Sequence, residues 1–347
     1  MSKAIIFREG HLYYLDQTRL PYKEVYRECR GLKDAYEAIK KLKVRGAPLI
    51  GVFCAYSVYI SLAKFKGKRR DFLSYLDKVV TYLKSCRPTA VNLSWALSRI
   101  IKAVYNSTAE DIKELKRIIL KEAEAIYAED VILCERIARF GVSLIKKGDA
   151  ILTHCNTGFL ATSHYGTALG IIYAAKQRYR KIKVYVDETR PLLQGARLTC
   201  WELKKKKIDA ILICDDMAAY LCQKKMVDKI FVGADRIAKN GDVANKIGTY
   251  NLAILAHYHR IPFYVVAPLT SFDLSIETGK YIPIEQRDPN EVRKILGKFR
   301  IVPKNFKVYN PAFDITPHKL ITAIVTDKGI IYPPFKQNIR RLSQNLR

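Results

Sequence analysis

Acidic residues are scarce in this sequence. Asp and Glu number 33 against 61 Lys and Arg, so the 347 residues carry a formal net charge of +28 at pH 7. Such an excess favours anionic partners through long-range attraction. Apart from dense runs at 64–70 and 204–207, however, the basic residues are spread over predicted helix faces, and no RNA- or DNA-binding motif accompanies them. We therefore expect a small phosphorylated metabolite as the partner rather than a nucleic acid.

The sequence also has no C-x-x-C pair among its eight cysteines, so neither a zinc site nor a thioredoxin-like motif is indicated. Most of the cysteines, Cys54 and Cys214 among them, lie inside apolar segments, where a reduced thiol behaves as a small hydrophobe. Residues 1–8 lack the apolar core of a secretory signal. These features predict a protein of a reducing compartment, the cytoplasm.

Long apolar runs are missing as well. One uncharged stretch, residues 47–63, is shorter than the roughly 20 residues that a bilayer-spanning helix needs. It also contains Pro48 and Gly51. We expect a buried helix here and no association with a membrane.

Cofactor motifs are absent too. After the first β-rich run, residues 154–166 contain only Gly158 and Gly166, which are too far apart for G-x-G-x-x-G, and the sequence has no P-loop. His257 and His259 are two residues apart on a predicted helix, so they cannot share a face as metal ligands. We therefore expect neither a nicotinamide or flavin cofactor nor a metal.

The chain is long for a single hydrophobic core and predicts two domains. Residues 4–15 alternate weakly and turn at Glu9-Gly10, which indicates a small hairpin. Helical patterns follow at about 32–42, 48–64, 71–85, 89–106 and 109–147. The last of these is expected to contain the domain boundary, with a helical N-terminal domain over 1–125 and a catalytic domain over 126–347.

From residue 149 onward, short β-rich runs alternate with helical segments. The runs cover 150–153, 182–186, 210–213, 229–232, 263–266 and a later one near 321–325. This alternation predicts an α/β fold, with a Rossmann-like and mostly parallel sheet. Polar clusters follow five of the runs, at 154–156, 187–190, 215–216, 233–236 and 267–270. Because ligands bind outside the carboxyl ends of parallel strands, these clusters predict an active site at one sheet edge.

Cys155 and Asp235 are the candidate catalytic residues within these clusters. Cys155 lies in a polar turn with Asn156 and Gly158, where a thiol can act as a base or nucleophile, although a cysteine after a strand is more often simply buried. A carboxyl group such as Asp235, in a partly apolar pocket, can hold its proton near neutral pH and serve as a general acid. The alternative is that Asp235 only forms an ion pair with a nearby arginine.

Two helix starts carry an arginine and are candidate anion sites. Arg45 precedes Gly46-Ala47-Pro48, where proline in the first turn leaves free backbone amides beside the guanidinium. Arg87 precedes a similar segment, 88–92. Either segment could equally be an ordinary helix start.

Taken together, these segments resemble the 5-methylthioribose-1-phosphate isomerase family, which shares its fold with the regulatory subunits of translation initiation factor 2B. The matching segments are VRGAPLIG (44–51), RPTAVNL (87–93), LTHCN (152–156), DETRP (187–191), QGAR (194–197), GADR (233–236), NGDVANKIGT (240–249), SFD (271–273), IPIE (282–285) and NPAFD (310–314). One departure is Asp216, where asparagine is more usual in the family.

The resemblance implies a cofactor-free homodimer that converts an aldose 1-phosphate to a ketose 1-phosphate in methionine salvage. By position, it makes Cys155 and Asp235 the catalytic pair. The residues that it assigns to the substrate are Arg45, Gly46, Ala47, Arg87, Gln194, Asn245 and Lys246.

Two other functions are compatible with the same architecture. Sister isomerases act on ribose 1,5-bisphosphate or 5-deoxyribose 1-phosphate and differ chiefly in the group accepted at C5. A regulatory subunit of the factor 2B type would keep the fold without catalysis. Such a binding module would have little chemical need for both Cys155 and Asp235, so the sequence favours the enzyme.

Overall fold

A computed structural model describes residues 2–87, 91–179 and 181–344 of the chain. The chain forms two compact units. The first comprises the residues up to Cys134 together with Phe159–Gly166, and the second comprises Glu135–Gly158 together with the chain from Thr167 onward. The domain boundary expected after residue 125 stays a prediction.

The first unit begins with a three-stranded antiparallel sheet in the order β1-β2-β3. Its strands are β1 (Ile5–Arg8), β2 (His11–Leu15) and β3 (Tyr26–Cys29). The predicted hairpin is confirmed: Glu9 and Gly10 join β1 to β2 with φ values of 52° and 79°, the left-handed pair that a tight two-residue turn requires. The third strand was not predicted, because its four residues show no alternation of apolar and polar side chains.

Helices form the rest of the first unit. They are α1 (Leu32–Lys40), α2 (Ala47–Leu62), α3 (Arg69–Cys86), α4 (Val91–Tyr105) and α5 (Ile112–Gly141), the last of which continues past Cys134. Helix α2 is buried along most of its length, as predicted. A Cβ atom at Gly51 would lie 2.8 Å from the carbonyl oxygen of Asn92, so only glycine permits α2 to approach α4 this closely. Across the described residues, no helix is long and apolar enough to cross a membrane.

The second unit is built on a sheet of seven described strands in the order β16-β15-β10-β7-β4-β5-β6. The strands, in chain order, are β4 (Ala150–Thr153), β5 (Lys183–Asp187), β6 (Ala210–Ile213), β7 (Lys229–Val232), β10 (Phe263–Val266), β15 (Ala323–Thr326) and β16 (Gly329–Ile331). All neighbours pair in parallel except β15 and β16. The predicted mostly parallel α/β sheet is confirmed, and the predicted strands fall within two residues of the observed ones.

Smaller sheets complete the second unit. One has the order β11-β8-β9-β14, with β8 (Arg236–Ala238), β9 (Val243–Lys246), β11 (Phe272–Asp273) and β14 (Phe313–Thr316); a further hairpin joins β12 (Lys294–Ile295) to β13 (Phe299–Arg300). The segment 240–249 contains the turn-forming residues Asn240, Gly241 and Gly248, yet it includes a buried strand. Local residue preferences do not predict this strand, because β9 is stabilised by pairing with β14, which lies far along the chain.

The helices of the second unit are α6 (Ala168–Arg178), α7 (Cys200–Lys205), α8 (Met217–Gln223), α9 (Thr249–His259), α10 (Asn290–Arg293) and α11 (Phe335–Gln344). One sequence prediction about this unit is wrong. Cys214 is exposed rather than buried in an apolar segment. The reason is that β6 is the edge strand of the large sheet, where Ile211 and Leu212 are exposed as well.

Candidate active site

Cys155 and Asp235 follow two neighbouring parallel strands. Strands β4 and β7 pair directly, with Leu152 opposite Ile230 and Thr153 opposite Phe231. Cys155 comes just after β4, and Asp235 just after β7. Both residues therefore lie at the carboxyl edge of the sheet, which is where ligands bind in open α/β folds.

The backbone of Cys155 is held in an unusual conformation. Its φ is 60°, in the left-handed region that costs a non-glycine residue about 1–2 kcal/mol. The backbone N–H donates to Thr189 Oγ1 at 2.8 Å, and the carbonyl oxygen accepts a hydrogen bond from Thr199 Oγ1 at 2.6 Å. Two threonine hydroxyls thus fix the peptide groups on both sides of Cys155, a residue that is only 9% exposed. Strain of this kind is typical of active sites.

Thr189 is itself strained and supported. Its φ is 65°, which is rare for a β-branched residue. The N–H of Thr189 donates to Asp215 Oδ1 at 2.7 Å, and the N–H of Arg190 donates to Oδ2 of the same carboxylate at 2.7 Å. Asp215, at the end of β6, therefore holds the loop whose threonine hydroxyl positions Cys155.

Glu202 supports the residue after Cys155. This glutamate of α7 is fully buried and accepts a hydrogen bond from Asn156 Nδ2 at 2.7 Å and another from the Tyr173 hydroxyl at 2.7 Å. A Cβ atom at Gly158 would overlap the Glu202 carboxylate, so the loop approaches α7 at a glycine. Sequence reasoning missed Glu202, because nothing in the local pattern distinguishes it from a solvated glutamate on a lysine-rich helix.

The carboxylate of Asp235 has no protein partner among the residues that the structure describes. The side chain is half-buried, and its backbone N–H donates to the carbonyl oxygen of Ala244 at 2.9 Å. Within the described residues, no hydrogen bond or ion pair involves the Asp235 carboxylate. The next residue, Arg236, pairs instead with Asp273 at 3.5 Å. The alternative that Asp235 serves only as an arginine partner has no support in this geometry, and its carboxylate remains available to a ligand.

Gln194 and Asn245, both assigned to the substrate by resemblance, are buried. Gln194 is 6% exposed, precedes a π-helical turn at Gly195–Thr199, and has an Oε1 atom without a hydrogen-bond partner in the part of the chain that the structure describes. Asn245 on β9 is 5% exposed, and its amide donates to Thr249 Oγ1 at 2.9 Å. A buried acceptor without a donor is costly, so Gln194 is suited to bind a ligand hydroxyl.

Lys246 is a buried cation beside Asn245. Its ammonium donates to the carbonyl oxygen of Ala312 at 3.0 Å and lies 4.9 Å from the ring centroid of Phe313. A buried lysine is expensive unless its charge is compensated. Part of that compensation comes from Asp314, whose ionised form is favoured by the charge of Lys246.

A continuous chain of contacts connects these residues of the second unit. Asp235 bonds to Ala244 in β9, and Ile247 at the end of that segment bonds to the ring of His154, which precedes Cys155. Cys155 bonds to Thr189, whose carbonyl oxygen accepts from the N–H of Leu193, next to Gln194. These contacts therefore link the segments that carry five predicted site residues: Cys155, Gln194, Asp235, Asn245 and Lys246.

The remaining predicted residues belong to the first unit. Gly46 precedes α2 with a φ of 98°, and a Cβ atom there would lie 2.5 Å from the Cα of Ala161. Ala47 begins the helix, and the N-cap residue Gly46 provides no side-chain hydrogen bond to its first turn, which is the arrangement expected of an anion site. Arg45 and Arg87 are half-buried. Residues 88–90 of the second candidate anion segment lie outside the described residues. The substrate role of Arg45, Gly46, Ala47 and Arg87 stays a prediction.

A buried polar cluster lies behind Cys155. His154 Nδ1 is 2.9 Å from Asp187 Oδ2, and the ligand-capable atoms of His154, Asp187 and Asp215 lie within 4.8 Å of one another, a spacing compatible with a metal. The second ring nitrogen of His154 faces the carbonyl oxygen of Ile247 at 2.9 Å. Since both ring nitrogens and both Asp215 oxygens already have partners, we interpret the cluster as a hydrogen-bond network.

Protonation within this cluster is shared. Burial lowers the pKa of His154, but the hydrogen bond and charge of Asp187, the charge of Asp215 and the contact with Ile247 together outweigh it and leave the pKa above its ordinary value. Burial raises the pKa of Asp187 more than His154 lowers it. Both shifts favour a proton held between the two side chains. Farther along the network, burial raises the pKa of Asp314 to about 6 even though it accepts hydrogen bonds from the N–H groups of Gly248 and Tyr250.

Comparison with known proteins agrees with the sequence resemblance. Residues 43–333 match the initiation factor 2 subunit family. The chain is 50% identical over 339 residues to methylthioribose-1-phosphate isomerase of Pelotomaculum thermopropionicum, covering 97% of this chain and 93% of that protein. It is 51% identical over 340 residues to 5-deoxyribose 1-phosphate isomerase of Moorella thermoacetica, covering 97% and 96%.

Among solved structures, 5-methylthioribose 1-phosphate isomerase from Pyrococcus horikoshii OT3 is similar throughout. The TM-score is 0.92 at 44% identity, with 99% of this chain and 96% of that chain covered. The chain therefore belongs to the initiation factor 2 subunit family, and within it to the group of the methylthioribose-1-phosphate isomerases.

Proposed function

We propose that this protein is an aldose-ketose isomerase that converts 5-methylthioribose 1-phosphate to 5-methylthioribulose 1-phosphate in methionine salvage. The observation that carries the proposal is the placement of Cys155 and Asp235 after the adjacent strands β4 and β7. Cys155 is strained, and the Asp235 carboxylate has no partner in the described part of the chain. The substrate is inferred from relatives named methylthioribose-1-phosphate isomerase, which are 48–50% identical to this chain over nearly its whole length.

The chemistry requires an acid before it requires a base. A sugar phosphorylated on its anomeric oxygen cannot open spontaneously to a free aldehyde, so the enzyme must assist ring opening. Protonated Asp235 donates its proton to the ring oxygen as the bond from that oxygen to C1 breaks. The resulting carboxylate then accepts the proton of the C2 hydroxyl as the ketone forms.

The ketone forms as hydrogen moves from C2 to C1, and this transfer can follow one of two routes. In the first, the Cys155 thiolate takes the C2 proton, leaving an enol phosphate, and returns the proton to C1. In the second, hydride moves directly from C2 to C1 while Cys155 stabilises the transition state. Deuterium from D₂O at C1 of the ketose supports the first route, and its complete absence supports the second.

The cationic residues are suited to the phosphate group. We propose that Arg45, Arg87 and Lys246 bind it, with backbone amides of Gly46 and Ala47 at the start of α2. Gln194 and Asn245 then bind sugar hydroxyls. In a pocket closed to water, such charges and dipoles act more strongly than they do in solution.

The group accepted at C5 decides between closely related activities. The relative from M. thermoacetica is named for 5-deoxyribose 1-phosphate, so this sugar is the second candidate. Ribose 1,5-bisphosphate is a third candidate and would require an additional cationic contact at C5. A purely regulatory role would leave the unpartnered carboxylate of Asp235 and the strained Cys155 without a purpose.

We also propose that the protein is a cytoplasmic homodimer. All eight cysteines are unpaired, in keeping with a reducing compartment. The edge strand β6 and the adjoining helix α8 expose large apolar side chains, with Leu212 and Met217 each 49% and Tyr220 58% exposed. An uncovered apolar edge is a pairing surface, and a second copy would bury it. Light scattering should give twice the chain mass, and Leu212→Lys should reduce it.

A parallel assay of three sugar phosphates tests the proposed activity. Purified protein is offered 5-methylthioribose 1-phosphate, 5-deoxyribose 1-phosphate and ribose 1,5-bisphosphate, and the ketose is followed by ³¹P NMR. We expect the first to give the highest kcat/KM. Cys155→Ser and Asp235→Asn should each reduce conversion at least about a hundredfold. The matched controls Cys214→Ser and Asp209→Asn, which alter exposed side chains, should retain activity. Equal conversion by the site variants and the controls would refute the site.

A further inference from the structure

We propose that His154 is a positioning residue: its buried ring carries a hydrogen on both nitrogens and fixes Cys155 relative to Asn245 and Lys246. The catalytic meaning of this inference rests on the proposed function. The protonation and geometry of the ring do not, and they can be tested without substrate.

The contacts of the ring define its hydrogens. Nε2 lies 2.9 Å from the carbonyl oxygen of Ile247, which can only accept, so Nε2 donates. Nδ1 lies 2.9 Å from Asp187 Oδ2. His154 and Asp187 are each 1% exposed, so water does not compete for either contact. A carboxylate at Oδ2 requires a hydrogen on Nδ1 as well, and the ring is then an imidazolium.

The charges around the ring require this cation. Asp187 and Asp215 approach it at the ends of β5 and β6, and Asp314 of β14 lies on the side of Gly248 and interacts with it electrostatically. In the described part of the chain, no lysine or arginine forms an ion pair with Asp187 or Asp215, and Asp187 Oδ1 has no hydrogen-bond partner. A buried carboxylate such as that of Asp187 is costly without a compensating charge, and the imidazolium supplies that charge.

The ring connects the two halves of the proposed site. On one side, Cys155 directly follows His154, and the carbonyl oxygen of Asp187 accepts a hydrogen bond from the Thr189 hydroxyl at 3.1 Å, which in turn accepts from Cys155 N–H. On the other side, Ile247 directly follows Asn245 and Lys246. The ring also packs on Gly248, where a Cβ atom would lie 2.9 Å from Cε1.

Two variants separate the two contacts. In His154→Asn, the side-chain amide replaces Nδ1 and keeps the bond to Asp187 while losing the bond to Ile247. In His154→Gln, the longer side chain replaces Nε2 and keeps the bond to Ile247. We expect His154→Asn mainly to raise KM, because Asn245 and Lys246 lose their anchor. We expect His154→Gln mainly to lower kcat, because the support of Cys155 is lost. Each change should be about tenfold or more.

The wild-type protein provides the substrate-free test. In ¹⁵N-histidine-labelled protein, the buried ring should give two N–H signals that exchange slowly with water at pH 7, while the other five histidines are exposed or half-buried. A slowly exchanging ring with one unprotonated nitrogen would overturn the assignment, even if the variants fail to fold. If both variants fold and show the same changes in kcat and in KM as each other, the positioning role is overturned. Absence of isomerase activity with a doubly protonated ring would refute the proposed function alone.

Discussion

The hydroxyl of Thr199 donates a hydrogen bond to the carbonyl oxygen of Cys155 at 2.6 Å. Thr189 accepts from the N–H of the same residue, so Cys155 is held in its left-handed conformation by side chains from a different loop. The position of the thiol is therefore set by threonines at the end of β5 and the start of α7. This relationship makes both threonines sensitive to isosteric substitution.

Thr199→Val removes the hydroxyl and keeps the shape of the side chain. The Cys155 carbonyl then loses its partner, and the free energy of unfolding should fall by about 1–2 kcal/mol. Isomerase kcat should fall more than KM rises. Thr199→Ser keeps the hydroxyl and should retain most of the activity. Urea unfolding and steady-state kinetics measure both effects, and a valine variant equal to wild type in both would contradict the role of this bond.

Gly158→Ala places a methyl group against the Glu202 carboxylate, which cannot move without breaking its bonds to Asn156 and Tyr173. We expect a loss of stability of about 1–3 kcal/mol, the usual cost of overpacking a buried site. Gly31→Ala is the matched control, because a Cβ atom there meets nothing within 4 Å. Thermal unfolding of the two variants should differ clearly, and similar melting temperatures would count against the contact.

The buried carboxyl group of Asp130 should make the free energy of unfolding depend on pH. Burial raises its pKa to about 6, and it accepts a hydrogen bond from the Ser163 N–H at 2.6 Å. Between the ordinary value of 3.8 and about 6, the folded protein binds this proton and the unfolded chain does not, so this contribution to stability falls as pH rises. Above pH 6 the cost is complete and on the order of 2–3 kcal/mol.

Asp130→Asn should remove this dependence, because the amide oxygen can still accept from Ser163. The difference in the free energy of unfolding between the variant and wild type should therefore shift in favour of the variant from pH 4 to pH 7. Urea titrations at unit pH intervals measure it. A constant difference across that range would show that Asp130 does not titrate as expected.

Lys246→Met tests the proposed phosphate contact. The methionine keeps most of the side-chain volume but loses the hydrogen bond to Ala312 and the charge that acts on Asp314, so the free energy of unfolding should fall by about 1–3 kcal/mol. If Lys246 binds the phosphate, KM should rise at least about tenfold with a smaller change in kcat. The control is Lys239→Met, in the turn that joins β8 to β9, and it should leave KM unchanged. If the KM of Lys246→Met equals that of wild type, Lys246 does not bind the phosphate.

The sequence predicted those parts of the fold that local pattern determines. The alternation of apolar runs and helices located β4, β5, β7 and β10, and the polar residues after them located Cys155 and Asp235. The predicted helix at 109–147 is observed as Ile112–Gly141. It begins and ends inside the predicted range, because the apolar periodicity of a sequence locates the ends of a helix only approximately.

Long-range contacts could not be predicted in the same way. Strand β9 exists because Val243–Lys246 pairs with Phe313–Thr316, and no local signal announces that pairing. The supporting residue Glu202 is in ordinary surroundings along the chain, and only the fold brings it to Asn156. The sequence located Asp215 in a polar cluster at the sheet edge, but it did not predict the hydrogen bond from the N–H of Thr189. Exposure of Cys214 likewise depends on which strand forms the edge of the sheet.

A double-variant cycle on Cys155 and Asp235 tests the central claim most directly. The kcat of wild type, Cys155→Ser, Asp235→Asn and the double variant is measured with 5-methylthioribose 1-phosphate, together with melting temperatures that confirm folding. If the two residues act together on one sugar phosphate, each single variant should lose most of the activity and the double variant should be little slower than the slower single. Losses that multiply independently, or a single variant with wild-type kcat, would contradict the account.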